Sequence, residues 1–134
     1  MNSAVVDTSV LISFLERDGR AAASLRAFDR LLVPAAVDAE FRAGLDPATK
    51  SGRQRAALLD EFLAEPSVGF LPAGRAESSK YAQLHRYLKE RGTPIPLHDV
   101  WIAAAALVQD APLCTFDRHF ARIPLLRLAL APVE

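Results

Sequence analysis

The chain has 134 residues, of which 51% are hydrophobic, so it is long and apolar enough to bury one core. We expect a single domain over residues 1–134. Its 16 acidic and 16 basic residues balance, so overall charge does not indicate a nucleic-acid binder. The only cysteine, Cys114, excludes an internal disulfide and suits a reducing cytoplasm. The N-terminus has neither a basic stretch nor a long apolar run, which predicts neither a signal peptide nor a membrane span.

The chain begins with a short apolar run that predicts a buried strand, ending at Asp7, Thr8 and Ser9. Apolar residues at helical spacing follow, so Asp7 lies where a strand gives way to a helix. In open α/β sheets, ligands bind beyond the carboxyl ends of the strands. The alternative is that these three residues only cap the helix, because all three types are preferred N-cap residues.

The rest of the chain alternates between helical and strand patterns. We predict further helices over residues 20–29, 35–45, 54–65 and 75–91, and along the alanine-rich run after Asp99. Further strands are predicted over residues 31–33, 68–71, 112–115 and 125–130. This alternation predicts an α/β fold with a mainly parallel sheet of about five strands sandwiched by helices.

Three more acidic residues occupy positions related to that of Asp7. Asp117 directly follows the fourth predicted strand, and Asp99 lies near the start of the alanine-rich helix. Glu40 lies on the helix after the second strand, on a face of small residues that should turn inward. A glutamate is almost never buried without a partner, and no lysine or arginine shares this face. Glu40 is therefore expected to meet a partner from elsewhere in the chain.

If these four carboxylates converge, each pair about 4 Å apart repels by roughly 4 kcal/mol at an effective dielectric constant near 20. Such a cluster must take up protons or hold a cation. Ligand sets made only of oxygen atoms favour Mg²⁺ or Mn²⁺ over zinc. These ions support phosphodiester hydrolysis, because they activate water and bridge phosphate oxygens.

Four segments together resemble the acidic motifs of PIN domains. They are Val5-Val6-Asp7-Thr8-Ser9, the helix with Glu40, His98-Asp99-Val100-Trp101-Ile102-Ala103, and Thr115-Phe116-Asp117-Arg118-His119-Phe120. Their order, and the size of the chain, are most similar to the VapC toxins of bacterial toxin-antitoxin pairs. The resemblance extends over nearly the whole sequence.

This resemblance implies a Mg²⁺- or Mn²⁺-dependent endoribonuclease that is a cytoplasmic homodimer. It also implies inhibition by a VapB-like antitoxin whose C-terminal segment occupies the active-site groove. The implied metal ligands are Asp7, Glu40, Asp99 and Asp117. The hydroxyl groups expected to orient the ligands or a metal-bound water are those of Thr8, Ser9 and Thr115. The candidates for contacts with RNA phosphates, chosen because they lie near these acids in the sequence, are Arg42, Arg118 and Arg122.

Other functions fit the residues less well. Aspartyl-phosphate phosphatases resemble one another in an Asp-x-Asp motif, but Ser9 stands at its second acidic position. Receiver domains would need a late lysine, and none follows Lys89. The turn after the first strand lacks the glycines of a dinucleotide site. His98 and His119 suggest zinc, but they lack the usual ligand spacing. A PIN-like module that binds RNA or protein without cleavage remains the alternative to a nuclease, although four retained acids argue against it.

Overall fold

The computed structural model describes residues 2–130, and its centre is a five-stranded sheet. All four pairings between neighbouring strands are parallel, which confirms the predicted α/β fold class. The strands are β1 (Ser3–Val6), β2 (Arg30–Pro34), β3 (Val68–Leu71), β4 (Leu113–Thr115) and β5 (Leu128–Leu130).

Six α-helices connect and flank the strands in the described part of the chain. They are α1 (Thr8–Leu15), α2 (Gly19–Leu25), α3 (Ala35–Ala43), α4 (Lys50–Leu63), α5 (Arg75–Glu90) and α6 (Leu97–Gln109). A short 3₁₀ helix, Arg118–Arg122, follows β4. In α6, the alanines at 103–106 are almost completely buried, and their small side chains allow the helix to pack closely in the core.

The two largest differences between predicted and observed helix boundaries have identifiable causes, one a contact distant in sequence and the other a helix cap. Helix α2 ends at Leu25 rather than near residue 29, because Asn2 holds the following turn beside β1. The Asn2 side-chain amide donates to the Ala27 carbonyl at 2.7 Å, and the Asn2 backbone carbonyl accepts from the backbone amides of Asp29 and Arg30. Helix α4 begins already at Lys50, because the hydroxyl of Thr49 accepts a 2.9 Å hydrogen bond from the backbone of Gly52.

The order of the strands, β3-β2-β1-β4-β5, determines where the carboxyl ends open a crevice. Strands β2 and β3 lie on one side of β1, and the later strands β4 and β5 lie on its other side. The direction of winding therefore reverses between β1 and β4, which is where open α/β sheets bind ligands. The register pairs Val6 with Cys114, so the next residues, Asp7 and Thr115, emerge side by side at this crevice.

Cys114 is fully buried in β4. Burial and the nearby negative charge of Asp7 raise the pKa of its thiol to about 12, which fits the predicted role as a small packing residue. None of the helices within residues 2–130 combines the length and the apolar character needed to cross a bilayer.

Candidate active site

Asp7 is held at the end of β1 by three hydrogen bonds. Its Oδ1 atom accepts from the Val10 backbone amide at 3.0 Å and from the Ser9 hydroxyl at 2.9 Å. Its Oδ2 atom accepts from the hydroxyl of Thr115. Asp7 is thus the N-cap of α1 as well as a buried acid at the switch point of the sheet, so capping and a place in the site are not exclusive.

Thr115 connects two of the predicted acids. Its side chain is completely buried in β4, and its hydroxyl donates to Asp7 while accepting a 2.9 Å hydrogen bond from the backbone of Asp117. Because both the donor and the acceptor capacity of this hydroxyl are used, the rotamer of Thr115 is fixed. This side chain therefore supports Asp7 and the turn that carries Asp117.

Asp99 lies in the first turn of α6, and Glu40 lies on α3. The imidazole of His98 joins them, since its Nε2 atom lies 2.7 Å from Glu40 Oε2 and 3.4 Å from Asp99 Oδ1. His98 is thus the partner that Glu40 needs. The prediction that the Glu40 face turns inward is wrong in part. Ala43 and Gly44 on this face are exposed, and Glu40 itself is half-buried at the crevice.

Asp117 follows β4 and caps the 3₁₀ helix by accepting a 2.9 Å hydrogen bond from the backbone of His119. The His119 imidazole lies between two acids, with Nδ1 2.7 Å from Asp117 Oδ2 and Nε2 2.9 Å from Asp99 Oδ2. Asp117 is the most open of the four acids, with 48% of its side chain exposed. It therefore joins the cluster from the solvent side.

The electrostatics of the site agree with this geometry. Burial is the main cause of a raised pKa at Asp7, and its three hydrogen bonds oppose the shift while the charge of Asp99 adds to it. Burial also raises the pKa of Asp99, with a further contribution from Glu40, although the two neighbouring histidines oppose it. The charge of Asp99 thus acts on Asp7, and the charge of Glu40 acts on Asp99.

The three predicted hydroxyl groups have different surroundings. Those of Ser9 and Thr115 hydrogen-bond to Asp7, as expected for supporting groups. The Thr8 hydroxyl is buried and has no hydrogen-bond partner among residues 2–130. The Nε2 atom of His119 is also buried, and it makes no aligned hydrogen bond there despite its short distance to Asp99.

The three arginines chosen from the sequence do not contact the four acids in the described structure. Arg42 is held by Asp38 on its own helix at 3.1 Å and by Asp60 of α4 at 2.7 Å, so it ties α3 to α4. Both partners raise the pKa of its guanidinium group. Arg118 is exposed on the 3₁₀ helix, and Arg122 donates to the Pro94 carbonyl at 3.2 Å. Their predicted contacts with RNA stay predictions.

The side chains at the site fit a hard divalent cation in chemistry and charge. The four acids offer carboxylate oxygens, the ligands that Mg²⁺ and Mn²⁺ prefer, and a cation would stabilise the ionised forms that burial disfavours. Within residues 2–130 no three acidic, histidine or cysteine side chains already surround a common metal position. Instead, the imidazoles of His98 and His119 bridge the carboxylates, and binding of an ion among the acids would replace some of these contacts.

His98 and His119 are two residues of the site that the sequence pattern does not predict, because they lack the spacing of zinc ligands. Their positions are the feature that could have indicated them, since His98 directly precedes Asp99 and His119 lies two residues after Asp117. His98 also reaches Glu40 on α3, and His119 also reaches Asp99 on α6, so each imidazole contacts an acid from another segment.

The arrangement of four acids from four segments around one crevice agrees with a comparison against known families. The family model described as "PIN domain" matches residues 4–126. This chain belongs to the PIN domain family. The match covers all four segments that carry the acids.

The chain is similar to a protein named as a VapC ribonuclease and to solved structures of VapBC proteins. Ribonuclease VapC5 of Mycobacterium tuberculosis is 35% identical over 121 residues, covering 89% of this chain and 86% of that protein. A crystal structure of VapBC-5, from the VapBC family of toxin-antitoxin systems in the same organism, is 28% identical with a TM-score of 0.74, covering 99% of this chain and 100% of that one. The structure of VapBC2 from Rickettsia felis, bound to promoter DNA, is 22% identical and shares the fold with a TM-score of 0.86, covering 97% of this chain and 99% of that one.

Proposed function

We propose that this PIN-domain protein is an endoribonuclease that hydrolyses RNA phosphodiester bonds with Mg²⁺ or Mn²⁺. The observation that carries this proposal is the gathering of Asp7, Glu40, Asp99 and Asp117 at the switch point of the sheet. The similarity to a protein named as a ribonuclease supports the same reaction class. Asp7 is buried and Asp99 is mostly buried, and ionised acids in such surroundings are costly without a cation, so the cluster has a physical reason to bind one.

In this proposal the metal ligands are the four acids, directly or through water. A bound divalent ion supplies an activated water and neutralises charge on the phosphate group. The chain itself supplies the positioning. Asp7 cannot rotate freely, because Val10, Ser9 and Thr115 donate to its two oxygens, and this preorganisation keeps its carboxylate directed into the crevice.

The two histidines hold the other acids in place when the carboxylates are not engaged by an ion. His98 spans Glu40 and Asp99, and His119 spans Asp99 and Asp117, so three segments of the chain are linked side chain to side chain. Asp99 is common to both imidazoles and lies mostly buried, with 14% of its side chain exposed. It is therefore the acid whose replacement should disturb the cluster most.

We further propose that the protein is the toxin of a VapBC-type pair, a homodimer, and bound in the cell by a VapB-like antitoxin. The similarity to VapBC-5, a toxin-antitoxin system, supports this assignment. Expression of the chain alone should stop growth, and expression together with the product of a neighbouring short gene should restore it. Normal growth with confirmed folded protein would contradict the toxin assignment, and the mass in solution tests the homodimer.

Cleavage of a labelled single-stranded RNA tests the nuclease proposal directly. The wild-type protein should cleave it with Mg²⁺ or Mn²⁺ and not with a chelator. Asp99→Asn should slow cleavage more than about 100-fold, which is the upper range for residues that only support metal ligands. The matched control is Glu65→Gln, because Glu65 is exposed on the turn after α4, outside the cluster, and its loss also removes one negative charge. RNA binding without cleavage by the wild type would instead favour a non-catalytic module.

A further inference from the structure

A cavity of about 380 Å³ adjoins the acid cluster. Glu40 lines it, and Thr8 and Ser9 form another part of its wall at the start of α1. These residues also belong to the site described above, so the cavity borders the acid cluster on the side of Glu40. Its volume is within the range of cavities that bind small ligands.

Arg55 is the basic residue in the wall of this cavity. It projects from α4 and forms an ion pair with Glu16 at the end of α1. The two side chains are 43% and 52% exposed, and an ion pair this open to water adds little stability. Its guanidinium group can therefore exchange Glu16 for a phosphate group at small cost, and guanidinium groups bind phosphates with two parallel hydrogen bonds.

Another part of the wall is apolar, with Ile12, Phe41 and Leu45 contributing to it. Ile12 is 36% exposed, so part of this apolar surface is open to solvent. A cation next to an apolar surface suits a nucleotide, which carries a phosphate on one side and a flat base on the other. A free inorganic anion would not use the apolar part.

Thr8 adds a second, independent feature. Its side chain is about nine-tenths buried, and its hydroxyl has no hydrogen-bond partner among residues 2–130. Buried hydroxyl groups in proteins are nearly always hydrogen-bonded, so Thr8 gives the wall of this cavity a group with unused hydrogen-bonding capacity.

We propose that this cavity binds the nucleotide next to the scissile phosphate of the RNA, with Arg55 contacting a backbone phosphate. This inference rests on the proposed nuclease function, because it places the RNA strand across the four acids and extends it toward α4. Arg55 is then a positioning residue for the substrate and does not act on the scissile bond.

Equilibrium binding of a fluorescein-labelled single-stranded RNA of mixed sequence tests this proposal. All variants carry Asp99→Asn to prevent turnover, and affinity is measured at several salt concentrations. Arg55→Gln should weaken binding several-fold and lower the slope of log affinity against log salt by about 0.7, the value for one phosphate contact on a single strand. Arg53→Gln is the matched control for charge, since Arg53 is on the same helix but donates to the carbonyls of residues 47 and 48.

Glu16→Gln is the control for loss of the ion pair. It breaks the Glu16–Arg55 contact as Arg55→Gln does, but it leaves the guanidinium group in the cavity. We expect Glu16→Gln to bind RNA at least as tightly as the parent. Equal losses in Glu16→Gln and Arg55→Gln would assign Arg55 a structural role and overturn the proposal.

The remaining outcomes separate this inference from the proposed function. If wild type cleaves RNA while Arg55→Gln binds it like Arg53→Gln, the subsite is wrong and the nuclease assignment stands. If Arg55→Gln loses only binding of the protein antitoxin, the cavity belongs to that partner and the inference is also overturned. The nuclease proposal is tested separately by the cleavage assay, and it fails if the wild-type protein cleaves no RNA with either metal.

Discussion

Thr115 donates a hydrogen bond to Asp7 although 108 residues separate them in the sequence. The parallel pairing of β1 with β4 brings the two residues together at the carboxyl edge of the sheet. Both are buried, so water cannot replace this hydrogen bond. The orientation of Asp7 at the crevice therefore depends on a hydroxyl group from another strand.

Replacement of Thr115 by valine should test this dependence. Valine has nearly the same shape but no hydroxyl, so Asp7 loses a donor and the Asp117 amide loses its acceptor. We expect unfolding free energy to fall by about 1–3 kcal/mol, as for other unpaired buried polar groups, and RNA cleavage to slow. Thr115→Ser retains the hydroxyl and should recover most of the activity, measured beside thermal unfolding. Equal activity of the valine and serine variants would show that Thr115 does not position Asp7.

Addition of Mg²⁺ or Mn²⁺ should stabilise the wild-type protein, because a cation offsets the repulsion among the acids. At an ion concentration 100 times the dissociation constant, the gain is about 2.7 kcal/mol. The measurement is the melting temperature with metal and with a chelator, for wild type, Asp99→Asn and Glu65→Gln. The shift should persist in Glu65→Gln and shrink in Asp99→Asn. Identical shifts in all three proteins would mean that the metal binds elsewhere.

Without metal, the acid cluster should make stability depend on pH in a definite direction. Burial raises the pKa of Asp7 and of Asp99 in the folded state, so the folded protein holds these protons more tightly than the unfolded chain does. Stability contributed by the protonated forms is therefore lost as the pH rises from the ordinary carboxyl pKa through the raised one. The loss is at most about 1.4 kcal/mol per pH unit for each group.

Comparison with Asp99→Asn isolates this contribution, since the amide cannot ionise. In a chelator, the unfolding free energy of Asp99→Asn minus that of wild type should increase as the pH is raised from about 4 to about 7. Chemical denaturation at each pH gives the difference directly. A difference that stays constant or decreases over this range would show that ionisation of Asp99 is not disfavoured in the folded protein.

Gly52 fixes the start of α4, the helix that carries Arg55. A Cβ atom at this position would lie 1.9 Å from the Asp46 carbonyl oxygen, which is far closer than van der Waals contact. Gly52→Ala should therefore lower the unfolding free energy by about 1–3 kcal/mol. Gly19→Ala is the control, since nothing lies within 4 Å there, and it should be neutral or stabilising by up to about 1 kcal/mol. Equal stability of the two variants in denaturant would contradict the close approach.

The local character of each segment follows from its own residues. Apolar runs that end in an acid marked the ends of β1 and β4, so Asp7 and the residues near Asp117 could be assigned to strand ends. The strand prediction for residues 68–71 was confirmed, since it depends only on an apolar run between Pro66 and Pro72. The alternation of strand and helix patterns predicted the fold class, and four acids in the order of PIN-domain motifs indicated the family.

Which segments meet depends on how the whole chain packs. Strand adjacency depends on packing between residues distant in sequence, so no local pattern could show that Thr115 reaches Asp7 or that Asp38 and Asp60 engage Arg42. For the same reason, no local pattern shows that the two histidines bridge the acids or that Arg55 lines the cavity beside Glu40. A side chain's hydrophobicity and spacing indicate how deeply it is buried, whereas its partners depend on the order of strands in the sheet, which is set by the fold as a whole.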